Sequence, residues 1–168
     1  MIEIDLLLNR KARIWINKLP LVDFHPSFTL KKTIRFSNNS KPINLKRRQF
    51  AIELFIGAGG RIIHGLLGGE SLPSENFSYE IYSTKNALNQ YTETLLKGID
   101  KVSVGLPPIF AQSVENGILN YLKNNPKISF CGKLIFSHAA FGEVGSSQDI
   151  FEKLSVISST CFLSTKQY

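Results

Sequence analysis

Cysteine is scarce in this chain: there are two in 168 residues, Cys131 and Cys161. They have neither the number nor the spacing of a disulfide framework or a zinc site. Both read as reduced thiols that fill space as small apolar groups. Long apolar runs are also missing. None reaches the length of a membrane span, so no membrane partner is expected. The opening MIEIDLLLNRKARIW places acids before its apolar stretch and bases after it, the reverse of a secretory signal. A cytoplasmic location is the corresponding expectation. Residues 57–70, GAGGRIIHGLLGGE, are glycine-rich, but no Gly-Lys-Ser/Thr follows and the dinucleotide spacing is absent. Glycine pairs around short apolar pieces suit a hairpin or an insertion instead. There is no His-Glu-x-x-His and no Gly-x-Ser-x-Gly. No cofactor and no metal are expected.

Acid is sparse in the first third. Residues 1–48 hold 11 Lys and Arg against 3 Asp and Glu, whereas the rest of the chain holds 9 against 10. The net charge of +7 is therefore carried by Arg10-Lys11-x-Arg13, Lys31-Lys32-x-x-Arg35 and Lys46-Arg47-Arg48. If these groups converge, their field attracts polyanions, RNA above all. If they do not, they are solvated strand faces.

The content is that of one globular domain, 43% apolar and 20% charged. IEIDLLL suits a strand or a short helix, and ARIWIN alternates as a strand does. FTLKKTIRFS shifts parity after Lys31-Lys32, which suggests a bulge or a break. QFAIELFIGA is apolar almost throughout and reads as a central strand. FSYEIYS alternates. NALNQYTETLLKGID has Leu88, Tyr91, Leu95 and Ile99 at helical steps and predicts a helix. PPIFAQSVENGILNYLKNN is the strongest helix, opened by proline and stopped by Asn124-Asn125-Pro126. Its Gly117 sits on the buried stripe, where close packing against a strand would explain it. GKLIFSH is a strand. FGEVG is then a loop into a last helix, with Ser146 and Asp149 placed like a capping box and Ile150, Phe151, Leu154 and Ile157 on one face. Strands first, then helix, strand, helix predict an α+β fold: a mixed sheet of about four or more strands with two main helices on one face. The core is expected over about residues 28–158, with 1–27 as an N-terminal extension and 57–100 as an inserted hairpin and helix.

Two stretches also resemble the fourth, tip domain of the elongation factor G family. In VGLPPIFAQSVENGIL, Gly105, Leu106 and Pro107 match that family's turn, and Val114, Gly117 and Ile118 match its buried helical stripe. In FGEVGSSQDIFEKL, Val144, Ser146, Ser147 and Phe151 match its tip loop and helix, with Phe141 where the family has tyrosine. LKKTIR matches an upstream strand through Thr33, Ile34 and Arg35. The resemblance is concentrated in residues 102–154 and implies a sandwich like the second domain of a small-subunit ribosomal protein. It also implies that two loops share one end of the sheet. There are departures: Gly142 replaces the tip histidine, Gly145 the aspartate and Gln148 the glutamate, and no GTPase motif accompanies the domain. The implied function is non-catalytic binding of RNA or a ribosomal surface. The residues that would carry it are Lys46, Arg47 and Arg48 in one loop and Phe141, Gly142 and Glu143 in the other, together with Lys31, Lys32 and Arg35. Two alternatives stand beside it: a small-molecule enzyme using His138 and Glu143, and a protein-interaction module with an exposed apolar patch, expected on residues 57–100.

Overall fold

The computed structural model describes residues 1–87 and 89–164. The fold is α+β. Nine strands, β1 (Ile2–Asp5), β2 (Arg10–Ile16), β3 (Phe28–Ile34), β4 (Ile43–Asn44), β5 (Arg48–Ala58), β6 (Arg61–Leu72), β7 (Phe77–Ser83), β8 (Val102–Val104) and β9 (Phe130–Gly142), join two helices, α1 (Pro108–Asn124) and α2 (Gln148–Leu163). The sheet is mixed, in the order β1-β2-β5-β6-β9-β7-β3, with β4 and β8 pairing to the two ends of β9. β7 runs parallel to β9, and α1 lies between them in sequence, as a parallel connection requires. The apolar QFAIELFIGA becomes β5, flanked by β2 and β6 and buried on both faces over much of its length.

Both helices cover one face. α1 buries Ala111, Val114 and Ile118, and α2 buries Ile150, Phe151, Leu154 and Phe162, against Phe50, Leu67, Tyr79, Leu134 and Phe136 of the sheet. Phe110 and Phe151 stack at 4.7 Å between ring centres and tie the helices together. Gly117 belongs to this helix–helix contact, not to a helix–strand one. A Cβ there would lie 2.6 Å from the Glu152 carbonyl oxygen and from the Ser155 Cβ. The opposite face carries a second cluster, Trp15, Val22, Leu66, Tyr91, Leu96 and Val102, roofed by irregular chain.

Several expectations are corrected. The segment expected as an insertion is integral: β6 lies in the middle of the sheet and β7 next to β9. Its glycine-rich start is the β5–β6 hairpin, whose Gly59 and Gly60 both take positive φ, as a two-residue turn of this twist needs. Residues 1–27 are not an extension either, because β2 pairs with β5 along seven residues. The helix expected over NALNQYTETLLKGID does not form: the described part is a succession of turns. Tyr91, Thr94 and Leu96 are buried there while Ile99 is exposed, a spacing of two and three that no helix face presents. Leu88 lies outside the described residues. β3 has no break at Lys31-Lys32, since its register with β7 is continuous. As an edge strand it can expose both lysines without losing its pairing. Ser146 is not a helix cap. Its hydroxyl donates to the His64 carbonyl at 2.7 Å and accepts from the Gly142 N–H at 2.9 Å, fastening the loop to β6 and β9. Asp149 does sit in the first turn of α2, at the positive end of its dipole. Among the described residues no helix is long and apolar enough to cross a membrane.

Candidate functional site

Side chains alternate across a strand, so one set of positions in β2, β5 and β6 points away from the helices. Arg13, Glu53 and His64 belong to that set. Arg13 stands opposite Glu53 in the β2–β5 ladder. Glu53 and His64 are both fully buried. Glu53 Oε1 accepts from the His64 Nε2–H at 2.9 Å, the Thr94 hydroxyl at 2.8 Å and the Leu95 backbone N–H at 2.8 Å. The nearest cation to Oε2 is Arg13 Nη1, at 3.6 Å. Arg13 also donates through Nε to Glu3 at 2.8 Å and through Nη1 to the Glu93 carbonyl.

A buried carboxylate is costly unless charge and hydrogen bonds compensate it. Here the compensation comes from three segments distant in sequence: β2, β6 and residues 94–95. Burial opposes the Arg13 charge, but the bond to Glu3 and the charges of Glu53 and Glu3 hold its pKa above the usual arginine value. Glu3 is held below the usual carboxylate range by its hydrogen bond to Arg13. Burial and then the Glu53 charge push the Tyr91 hydroxyl up to about 12.

Outside this network opens a cleft of about 600 Å³ between β1–β2 and residues 91–97. Its floor is Arg13, Trp15 and Tyr91. Lys11, Lys18 and Lys97 rim it with Glu3 and Glu93. The three lysines are exposed, and none of them makes an ion pair among the described residues. Lys18 also adjoins the turn before β5, because Asn17 donates to the Gln49 carbonyl and lines a shallow groove with Arg47 and Arg48. The 46–48 turn does not extend the rim, however: Arg47 is paired with Glu70 at 3.7 Å, and Arg48, in line with Phe50 and Ile52, turns to the helical side, where it lines a groove with Thr160 and Phe162.

The anticipated two-loop tip is not assembled. Arg48 pairs with Ser71, and Ser71 with Leu134, near the start of β9. Phe141 is seven residues further along the same strand, about 20 Å away at ~3.3 Å per residue. Lys46–Arg48 and Phe141–Glu143 thus occupy opposite ends of the sheet. Phe141 is half-buried, and its ring meets Phe110 in a T-shaped contact at 6.0 Å. Gly142 is buried against Asp100 and Leu96. Glu143 is exposed and paired with Lys101 at 3.1 Å. Lys31, Lys32 and Arg35 lie on or just past the far edge strand β3, four strands from β5. Lys31 and Lys133 both reach Glu80 there, at 3.2 and 2.7 Å. The three basic groups do not converge, but two of them share neighbouring strands.

The enzymatic pairing of His138 and Glu143 is not formed. His138 sits opposite Gly68 in the β6–β9 ladder, bonded to the Ser137 hydroxyl at 2.9 Å, and burial lowers its pKa against the opposing charges of Asp23 and Glu70. Among the described residues no group of His, Cys, Asp and Glu is placed to hold a metal ion. Sequence reasoning passed over Glu53 and His64. The signal for them was a lone acid and a lone histidine, each inside an otherwise apolar strand. Comparison with protein families, with curated proteins and with solved structures gave no significant match.

Proposed function

We propose that this chain is a non-catalytic RNA-binding module, resembling the tip domain of elongation factor G, that grips a phosphate backbone along the open side of its sheet. The observation that carries the reading is the set of Lys11, Lys18 and Lys97 around the cleft, all exposed and outside any ion pair among the described residues. Exposed cations outside close ion pairs supply the sequence-independent part of RNA affinity by displacing counterions. Two helices packed on one face of a sheet, with strand, helix, strand, helix closing the chain order, support the family reading. A ribosomal surface rich in phosphate is a target of the same chemistry. Glu53 and His64, wholly buried, act here as a pin that holds residues 94–95 and so fixes the cleft wall.

Anisotropy titrations with single-stranded RNA over a range of salt test the reading. Each phosphate contact on a single strand contributes about −0.7 to the slope of log K against log salt. Replacing Lys11, Lys18 and Lys97 by alanine is expected to flatten that slope by about 2. Replacing Lys31 and Lys32 is expected to change it far less. Absence of any salt-dependent RNA affinity, together with absence of ribosome co-sedimentation, would remove the proposal.

A further inference from the structure

The turn joining β1 and β2 carries the least expected backbone in the protein. Leu7, Leu8 and Asn9 take φ values of 63°, 53° and 58° in succession. That left-handed run suits asparagine and disfavours leucine, whose Cβ crowds the following carbonyl. The turn is nonetheless closed, by the Leu6 N–H to the Arg10 carbonyl at 2.8 Å and the Arg10 N–H to the Leu7 carbonyl at 3.2 Å. The effect is to push leucines outward: Leu7 is 78% and Leu8 84% exposed, with Leu6 next to them also exposed. A turn with no other task is better served by Gly or Asn at these positions.

Cations surround it. Arg10 and Lys11 begin β2, and Arg61 begins β6, two strands across at the same end of the sheet. All three are exposed. Arg10 and Arg61 make no ion pair among the described residues. The one carboxylate close by in the hairpin is Asp5, in register with Lys11. Val144, 80% exposed, and the exposed Ile99 crown the loops over that same end, which Asp100 fastens by accepting from the Val144 and Gly145 N–H groups at 3.0 Å.

We propose that the β1–β2 turn is a docking tip for an anionic lipid surface, with Leu7 and Leu8 entering the interface and Arg10 and Arg61 meeting lipid phosphates. A projecting apolar tip with a cationic collar is the pattern of interfacial anchors, which gain from apolar burial and from attraction to anionic headgroups together. A second copy of the chain packed tip to tip would instead bring like charges together. The expectation of no membrane partner rested on the lack of a span, and docking by a turn needs none.

Vesicle co-sedimentation of the full chain, with phosphatidylcholine alone and mixed with phosphatidylserine, tests the proposal. Binding is expected only to the mixed vesicles. The double variant Leu7→Asn/Leu8→Asn is expected to lose about tenfold or more in vesicle affinity while its melting temperature rises, because asparagine accepts the left-handed backbone. Arg10→Gln/Arg61→Gln is expected to lose about fivefold per cation, on the mixed vesicles alone. RNA affinity of the leucine variant is expected to be unchanged, so this proposal and the RNA reading fail separately. No binding to the mixed vesicles, or binding that survives loss of both leucines, would overturn it. A dimer that the leucine variant dissolves, without vesicle binding, would assign the tip to a second copy and overturn it too. So would a matching fall in RNA affinity, which would make the tip part of an RNA surface.

Discussion

The two faces of this sheet are closed in different ways. The helical face is roofed by α1 and α2, whose backbone N–H groups are satisfied within each helix apart from the ends. Only side chains need to meet the strands there, and the meeting is mainly apolar, centred on Phe136, Phe151 and Leu154, with Tyr79 donating to Glu115 and the buried Ser155 to the Val114 carbonyl. The open face is roofed by irregular chain before β3 and between β7 and β8. Such chain brings backbone donors that must find partners. A buried carboxylate meets one of them, since Glu53 takes the Leu95 N–H, and Asp100 of the same roof takes the Val144 and Gly145 N–H groups of the loop before α2. Covering a sheet without helices therefore needs polar side chains inside the roof, and the same requirement leaves a cleft lined by charge.

That contrast can be broken by mutation. The largest effect is expected on the helical face: Phe151→Ala should cost about 3–5 kcal/mol, seen by urea denaturation as one cooperative shift of the whole protein. On the open face, Glu53→Gln should cost about 1–3 kcal/mol, because the network loses its charge while most of its shape is kept. Hydrogen exchange is expected to localise that loss. The Leu95 amide should lose protection while the amides of α1 keep theirs, and a uniform loss would show that the two faces are not independent. The smallest effect is a pH dependence. Burial lowers the pKa of His138 below the unfolded value of 6.5. The unfolded chain then binds the proton more readily, so stability is full above about pH 6.5 and falls as pH drops towards the folded pKa. Melting temperatures between pH 5 and 7.5 should show this slope, and His138→Gln should flatten it.

The helical face was largely legible in the chain. Phe110, Val114, Gly117 and Ile118 repeat at helical steps, as do Ile150, Phe151 and Leu154, and both stripes are in contact with the sheet or with each other. The partner of Gly117 and the capping role of Ser146 were mistaken, because neither a small residue on a stripe nor a serine before a helix says what it meets in space. The open face was hardly legible. Tyr91, Leu95 and Ile99 mimic a helical stripe, yet Ile99 ends exposed and the backbone of Leu95 is held by a side chain 42 residues earlier. Irregular chain has no period to detect. The candidate site was half visible: the excess of cations was plain, while the buried Glu53–His64–Arg13 network that shapes the cleft was not.

Composition and local pattern thus determined the α+β class, both helices, most strands and the placing of positive charge in the first 48 residues. These depend on neighbours within a turn or two, where spacing is a sufficient record. Tertiary structure alone decided that β6 is central, that Lys46–Arg48 and Phe141 stand at opposite ends, and that Lys18 and Lys97 share a cleft. Strand order and register join residues far apart in sequence, and no local spacing carries that information.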